Sequence, residues 1–246
     1  IIDLEDAVAI AEKPATRAIA VEALKKPHKS RGYIRVNALD TEFCFQDFHN
    51  IVGPWLDGIV LPKVESATDY PTAEWMLSNL ERDHGVPVGS IDLMPIIETA
   101  KGLAAAREIA NCGKRIKRLS FGAGDYTRDL NLQWTFGEDE IMTARQEIVL
   151  ASRLANIEPP IDTVFIHIKE HEHFAASAQK GREFGFQGKL CIHPNQVGAS
   201  HAAYTPTQAE AEGAQKITDS FETAEKEGSG SIPVDGYLVD STVVDK

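Results

Sequence analysis

Seven apolar runs of strand length recur along the chain, and each ends on a residue able to do chemistry. They are Ile1–Asp6 (IIDLED), Tyr33–Asn37 (YIRVN), Gly58–Glu65 (GIVLPKVE), Asp92–Glu98 (DLMPIIE), Leu119–Asp125 (LSFGAGD), Thr163–His167 (TVFIH) and Lys189–His193 (KLCIH). Segments with helix-like spacing separate them. Strands alternating with helices, with polar residues at one end of each strand, are the pattern of a parallel α/β protein, and in an α/β barrel that end carries the active site. Seven strands are one short of closure. Either the sheet is open and doubly wound, or an eighth strand precedes Ile1. Polar ends on every strand favour the second, because an open sheet concentrates them at one switch point. The expectation is a (β/α)8 TIM barrel over residues 1–228, with its first strand outside the sequence, and a C-terminal lid or tail over 229–246. The chain opens without Met inside a strand and closes just after a short polar segment, so a longer protein is expected.

A formal net charge of −12 argues against a nucleic-acid partner, which needs clustered Lys and Arg. The one basic cluster, Lys25–Arg31, reads as a solvated turn, with contact to an anionic cofactor tail as the sharper alternative. Cys44, Cys112 and Cys191 cannot all pair and lack metal-ligand spacing, which suits reduced, mostly buried thiols in the cytoplasm. No apolar stretch approaches the ~20 residues that span a bilayer, so no membrane partner is expected.

Helices are expected from Pro14 to Lys25 (with Ala18, Val21, Ala23 and Leu24 available for burial), from Asp40-Thr41, over Tyr70–His84, Ala100–Ala110 capped by Thr99, Asp139–Ala155, Glu172–Phe184 and Thr207–Glu225. Tyr126–Glu138 reads as a polar loop, and Thr163–Ile168 and Lys189–Ile192 as strands.

Side chains alternate along a strand, so Asp3 and Glu5 share a face, as do Arg35 and Asn37 one strand away, roughly 4.8 Å. Charges inside a barrel must be paired. The pairing could simply seal the barrel mouth. Alternatively, Glu5 orients Arg35 to bind a substrate carboxylate as a bidentate fork, with Asn37 as a further donor; the second reading is preferred. Glu98 and Asp125 end consecutive strands, and two carboxylates that close need a cation or a shared proton. Mg²⁺ fits, since it takes one or two carboxylates and leaves its other positions to water and substrate oxygens. Gly122 and Gly124, before Asp125, let backbone approach a ligand closely. Lys63 and Glu65 read as a self-satisfied salt bridge, and His193 as a structural histidine bonded to backbone. His167, His171 and His173 lie away from the carboxylates, and a metal role for them is disfavoured.

These residues resemble the citrate lyase β-subunit-like proteins, which include malyl-CoA and citramalyl-CoA lyases. The matching stretches are DLEDAV (Asp3–Val8), RVNALDT (Arg35–Thr41), DGIVLPKVES (Asp57–Ser66), PIIETAKGL (Pro95–Leu103), LSFGAGDYTRDL (Leu119–Leu130), GFQGKLCIHPNQV (Gly185–Val197) and DGYLVDS (Asp235–Ser241), in family order. The resemblance implies a trimeric or hexameric barrel and a Mg²⁺-dependent carbon–carbon lyase acting on a CoA or acyl-carrier thioester. It implies Glu98 and Asp125 as metal ligands, Arg35 on the substrate oxygens, and Asp240 in the tail as the acid/base reaching a neighbouring subunit's site. The family has an earlier strand with an Arg-Ser motif and continues as a helix beyond the position of Asp240; both gaps fit a sequence trimmed at its two ends.

The expected reaction is cleavage or formation of a 3-hydroxy-acyl thioester bearing a carboxylate, giving an acyl-CoA and a small 2-oxo acid. Two rivals remain open: a divalent-metal aldolase of the HpcH/HpaI group releasing pyruvate from a hydroxy-oxo-diacid, and a non-catalytic subunit of a larger lyase complex.

Overall fold

The computed structural model describes residues 1–244. Seven strands, β1 (Ile2–Asp3), β2 (Tyr33–Arg35), β3 (Gly58–Leu61), β4 (Asp92–Ile97), β5 (Ser120–Phe121), β6 (Ile161–Asp162) and β7 (Gly188–Lys189), form one sheet in chain order. Every neighbouring pair is parallel, with Asp3 opposite Arg35, Gly58 opposite Asp92 and Ile96 opposite Ser120. The order never reverses, which excludes the doubly wound alternative. Val60, Met94 and Ile96 on β3 and β4 form an apolar cluster against which both Tyr33 of β2 and Ile161 of β6 pack. In a flat sheet β2 and β6 would lie about 19 Å apart. The sheet is therefore curled, with this cluster on its concave face.

Helices α1 (Lys13–Lys25), α2 (Cys44–Ile51), α3 (Asp69–Asp83), α4 (Ala100–Ala104), α5 (Ala106–Ala110), α6 (Ala123–Asp129), α7 (Met142–Leu154), α8 (His171–Glu183) and α9 (Pro194–Tyr204) follow the strands. Helix α1 has Pro in its first turn as expected, but its inward stripe is Lys13, Arg17, Ala20, Val21 and Leu24. Ala18 and Ala23 face solvent. Two long cations hold buried positions because partners wait for them: Arg17 meets Asp47, and Lys13 meets the Leu4 and Glu5 carbonyls and Asn37. The stretch 100–110 breaks at Ala105 into two short helices, and α6 occupies the start of the expected polar loop. α9 follows a strand end that carried no helix expectation.

The expected strands at Thr163–Ile168 and Lys189–Ile192 shrink to two-residue ladders at 161–162 and 188–189. An ion knot stands at the end of both ladders. Asp162 and Lys189 are buried register partners, joined to each other at 2.8 Å, and Asp162 also holds the fully buried Arg145 of α7 at 2.9 Å through both oxygens. The Lys25–Arg31 cluster is exposed and precedes β2, at the opposite end of the strands from Glu98 and Asp125, as a solvated turn would be. The cysteines are all free; Cys44 is buried, Cys112 half-buried and Cys191, against expectation, exposed.

Contacts divide the chain into a unit of residues 1–200 and a second from 201 onward. In the second, α10 (Gln208–Lys226) opens with a capping box in which Thr207 and Glu210 satisfy each other's backbone N–H groups. Its Phe221 packs on Val234 and Val239 of the antiparallel hairpin β8 (Ser231–Val234) and β9 (Tyr237–Asp240). Asp235 and Gly236 turn the hairpin with φ of 48° and 84°, the left-handed pair that a tight two-residue turn requires. The long helix thus belongs with the tail, so the division falls before it rather than at 228. A short helix, α11 (Ser241–Val244), follows the hairpin.

Candidate active site

Consecutive strand ends bring six charged side chains together: Asp3, Glu5, Arg35, Lys63, Glu98 and Asp125. The β1–β2 ladder sets Asp3 beside Arg35, and both Asp3 oxygens accept from the guanidinium, at Nε and Nη2, each at 2.7 Å. Glu5, two residues past β1, places Oε2 3.0 Å from Arg35 Nη1. That approach is ionic rather than a directed hydrogen bond, since Glu5 Oε2 is buried without a hydrogen-bond partner. The other Glu5 oxygen takes the Lys63 ammonium in a short contact. Lys63 Nζ also lies 3.8 Å from Asp6 and 3.8 Å from Asp125 Oδ2. Its backbone N–H donates to Glu98 Oε1 at 2.8 Å.

Glu98 follows β4 directly. Asp125 stands in the first turn of α6, whose start is tied down by a hydrogen bond from Ala123 N to Thr163 Oγ1 at 2.8 Å. Asp129 at the far end of α6 accepts from Ala100 N, and Thr99 caps α4 through Gly102 N. The two acidic elements are therefore fastened to each other. Between them, Gly122 passes so close to Glu98 that an added Cβ would sit 2.3 Å from Glu98 Oε2 and 2.7 Å from its Cβ. The close approach here is of Gly122 to the Glu98 side chain. At Gly124, exposed in α6, a Cβ would meet only the Trp134 ring at 3.8 Å.

Burial pushes the Glu98 carboxyl up to about 8; the Lys63 N–H opposes this, and the negative charges of Asp125 and Glu5 add to it. Glu5 is also raised, by burial that outweighs Lys63 and Arg35. Asp3 goes the other way: burial favours its neutral form, but the Arg35 hydrogen bonds and charge win and lower it. For Lys63, burial is outweighed by Glu5, Asp125 and Asp6, which hold the ammonium charged. The site is thus short of positive charge at Glu98, and that shortage is the test for a metal. Two hard carboxylate donors, Glu98 buried and Asp125 nearly so, fit a divalent cation that takes its remaining ligands from water and substrate. Among the described residues no group of three or more His, Cys, Asp or Glu converges, so a site built wholly from protein ligands is not formed. Asp125 Oδ1 meets Arg128 at 2.6 Å, and that guanidinium is largely exposed and able to withdraw.

A cavity of about 260 Å³ opens beside Lys63, lined by Leu39, Asp40, Glu65, Ser66, Thr99 and Lys101 among others. A larger groove of about 560 Å³ is bounded by residues 110–117 and 155–158, at the opposite ends of the strands. It is remote from these carboxylates, and size does not decide the site.

Two sequence expectations change. Asn37 is 2% exposed and fully engaged, donating to the Leu4 carbonyl and Asp47 and accepting from Lys13. It braces β1 and β2 from behind and offers no donor to a ligand. Lys63 is not paired with Glu65, which meets Lys101 instead; it stands at the centre of the site. Its position directly after the strand run GIVLP was the available signal. His193 accepts from Asn195 N as a backbone-bonded histidine, while His173 stacks on Phe136 and His167 packs against it at a tilt. Asp240, in the second unit, accepts at Oδ1 from Thr242 N and Oγ1 and caps α11; these bonds hold its carboxyl below the usual range.

A curled parallel α/β sheet whose strand ends gather carboxylates around a fixed guanidinium defines an enzyme of the barrel-like lyase and aldolase class. The HpcH/HpaI aldolase/citrate lyase family profile matches residues 1–194. The chain is 37% identical to the citrate lyase subunit beta of Leuconostoc mesenteroides over 98% of its length and 80% of that protein's. It is 31% identical to the L-malyl-CoA/beta-methylmalyl-CoA lyase of Cereibacter sphaeroides over 97% and 81%. The solved CitE protein of Mycobacterium tuberculosis, in complex with magnesium, acetoacetate and coenzyme A, superposes with a TM-score of 0.77 at 27% identity, over 99% of this chain and 84% of that one. The chain belongs to the HpcH/HpaI aldolase/citrate lyase family, and its class is that of carbon–carbon lyases. Among the described residues no helix is long and apolar enough to cross a membrane.

Proposed function

We propose that this protein is a magnesium-dependent lyase that cleaves, or forms, a 3-hydroxy-acyl thioester bearing a free carboxylate, with an acyl-CoA and a small 2-oxo acid on the other side of the reaction. The observation that carries the reading is the buried Glu98 beside Asp125, across from an Arg35 already fixed by Asp3 and Glu5. The malyl-CoA lyase relative and the CitE complex with magnesium and coenzyme A support it.

Glu98 and Asp125 would hold the metal, which supplies Lewis-acid polarisation of the substrate hydroxyl and carboxylate oxygens. Arg35 uses Nε and one Nη2 hydrogen on Asp3, leaving N–H groups on Nη1 and Nη2 to face a developing oxyanion. Because Asp3 fixes the plane of the guanidinium in advance, no reorganisation accompanies the reaction. Lys63 balances the charge of Glu5. Asp240 is assigned the proton transfer at the carbon next to the thioester, as acid in cleavage and base in condensation. In this reading the tail carries Asp240 to a neighbouring subunit's site within a trimer or hexamer, and an eighth strand completes the barrel.

The test is a screen of malyl-, citramalyl- and citryl-thioesters, with and without Mg²⁺, on protein with both ends extended. Mg²⁺-dependent release of a 2-oxo acid from at least one thioester is expected. Turnover confined to free hydroxy-oxo-diacids would move the protein to the aldolases. Mg²⁺ binding without any turnover would make it a non-catalytic subunit.

A further inference from the structure

Lys63 has a left-handed backbone, φ 50°, in a segment held from several directions. A non-glycine residue there is strained and persists only where its surroundings over-determine it. Here they do. Val64 is buried and its carbonyl is pressed under α4, so that a Cβ at Gly102 would come within 2.5 Å of it. Glu65 N and Ser66 N both donate to Asp69 Oδ2, at 3.0 and 3.1 Å. The left-handed turn aims the Lys63 N–H at Glu98 Oε1, while the side chain spans Glu5 and Asp125.

We propose that Lys63 is the positioning residue of this site and does two separable things. Its left-handed peptide N–H aims the Glu98 carboxylate. Its ammonium is the resident counter-ion of Glu5 and Asp125, and it cedes Asp125 when a divalent cation arrives. The identity of that cation rests on the function proposed above; the two contacts do not.

Two substitutions separate the roles. Asn tolerates the left-handed region, so Lys63→Asn keeps the peptide geometry and removes the ammonium. Val is β-branched and does not, so Lys63→Val loses both; Lys63→Ala serves the same comparison with milder strain if the Val variant fails to fold. Mg²⁺ titration of metal-stripped protein by calorimetry reads the result. Lys63→Asn should bind Mg²⁺ a few-fold more tightly, since a competing cation is gone. Lys63→Val should bind about tenfold or more weakly, since Glu98 loses its donor. Equal effects in the two variants, or none in either, overturn the peptide role.

The counter-ion role is read without metal. Lys63→Asn should lower Tm by stranding the Glu5 charge, and adding Glu5→Gln should restore most of the loss. Strictly additive losses overturn it. Should the unaltered protein bind no Mg²⁺ at all, the magnesium-lyase reading falls. The metal-free cycle, with hydrogen-exchange protection of the Lys63 amide in Glu98→Ala against unaltered protein, still judges Lys63: protection that survives Glu98→Ala overturns the peptide role.

Discussion

Asp3 and Arg35 are direct register partners on β1 and β2, and their side chains close a two-point fork with both contacts at 2.7 Å. A lysine reproduces the charge but not the planar fork. Arg35→Lys should leave the melting temperature nearly unchanged while lowering kcat/KM for the active thioester by roughly 10²–10³-fold. Steady-state kinetics beside a thermal melt check both halves, and a variant with native turnover would remove Arg35 from the chemistry.

Gly122 tests the geometry around Glu98 without altering a charge. A Cβ there collides with the Glu98 carboxylate. Gly122→Ala should therefore weaken Mg²⁺ binding by about tenfold, the penalty for a displaced ligand. Gly124→Ala, where space is open, should leave Mg²⁺ affinity within about twofold, as expected for a site away from such features. Parallel calorimetric titrations decide between them.

Asp240 should be separable from the metal. Asp240→Asn is expected to abolish turnover and leave Mg²⁺ affinity unaltered. The amide oxygen can still accept from Thr242, so the cap on α11 survives. Retained turnover would exclude Asp240 as the acid/base.

Acid stability should depend on Glu81. This buried carboxylate grips both Arg115 terminal nitrogens, at 2.7 and 2.6 Å, and accepts from Gly89 N and Ile91 N. Burial raises its pKa, but those bonds outweigh burial and lower it below the ordinary glutamate value. A lowered carboxylate contributes stability that is present above the unfolded value, near 4.5, and is lost as pH falls through the folded one. Glu81→Gln should cost about 3 kcal/mol near neutral pH by leaving Arg115 under-paired. Its Tm should also fall less steeply than that of unaltered protein on acidification below pH ~4.5. Parallel slopes would refute the linkage.

The strand ends show what a sequence can and cannot convey. Asp3, Arg35, Glu98 and Asp125 were legible because each closes an apolar run, and parallel strands in chain order bring such ends together. Lys63 was misread because its partner, Glu5, is remote in sequence, whereas Glu65 is two residues away. Asn37 was misread because its amide N–H groups are taken by the Leu4 carbonyl and by Asp47, which lies on the buried stripe of a helix, where apolar patterning discounts a carboxylate. The ion knot of Arg145, Asp162 and Lys189 has no local signature either, since its members are far apart in sequence.

The sequence by itself determined the parallel α/β class and the order in which charged residues close the strands, because periodicity and chain order are local properties. Only the tertiary structure decided which charges face one another. It placed Lys63 between Glu5, Asp125 and Glu98, turned Asn37 inward, and let Gly122 press against Glu98. Pairing of charges in a low-dielectric interior depends on distances across the fold, and those distances exist only once the sheet has curled.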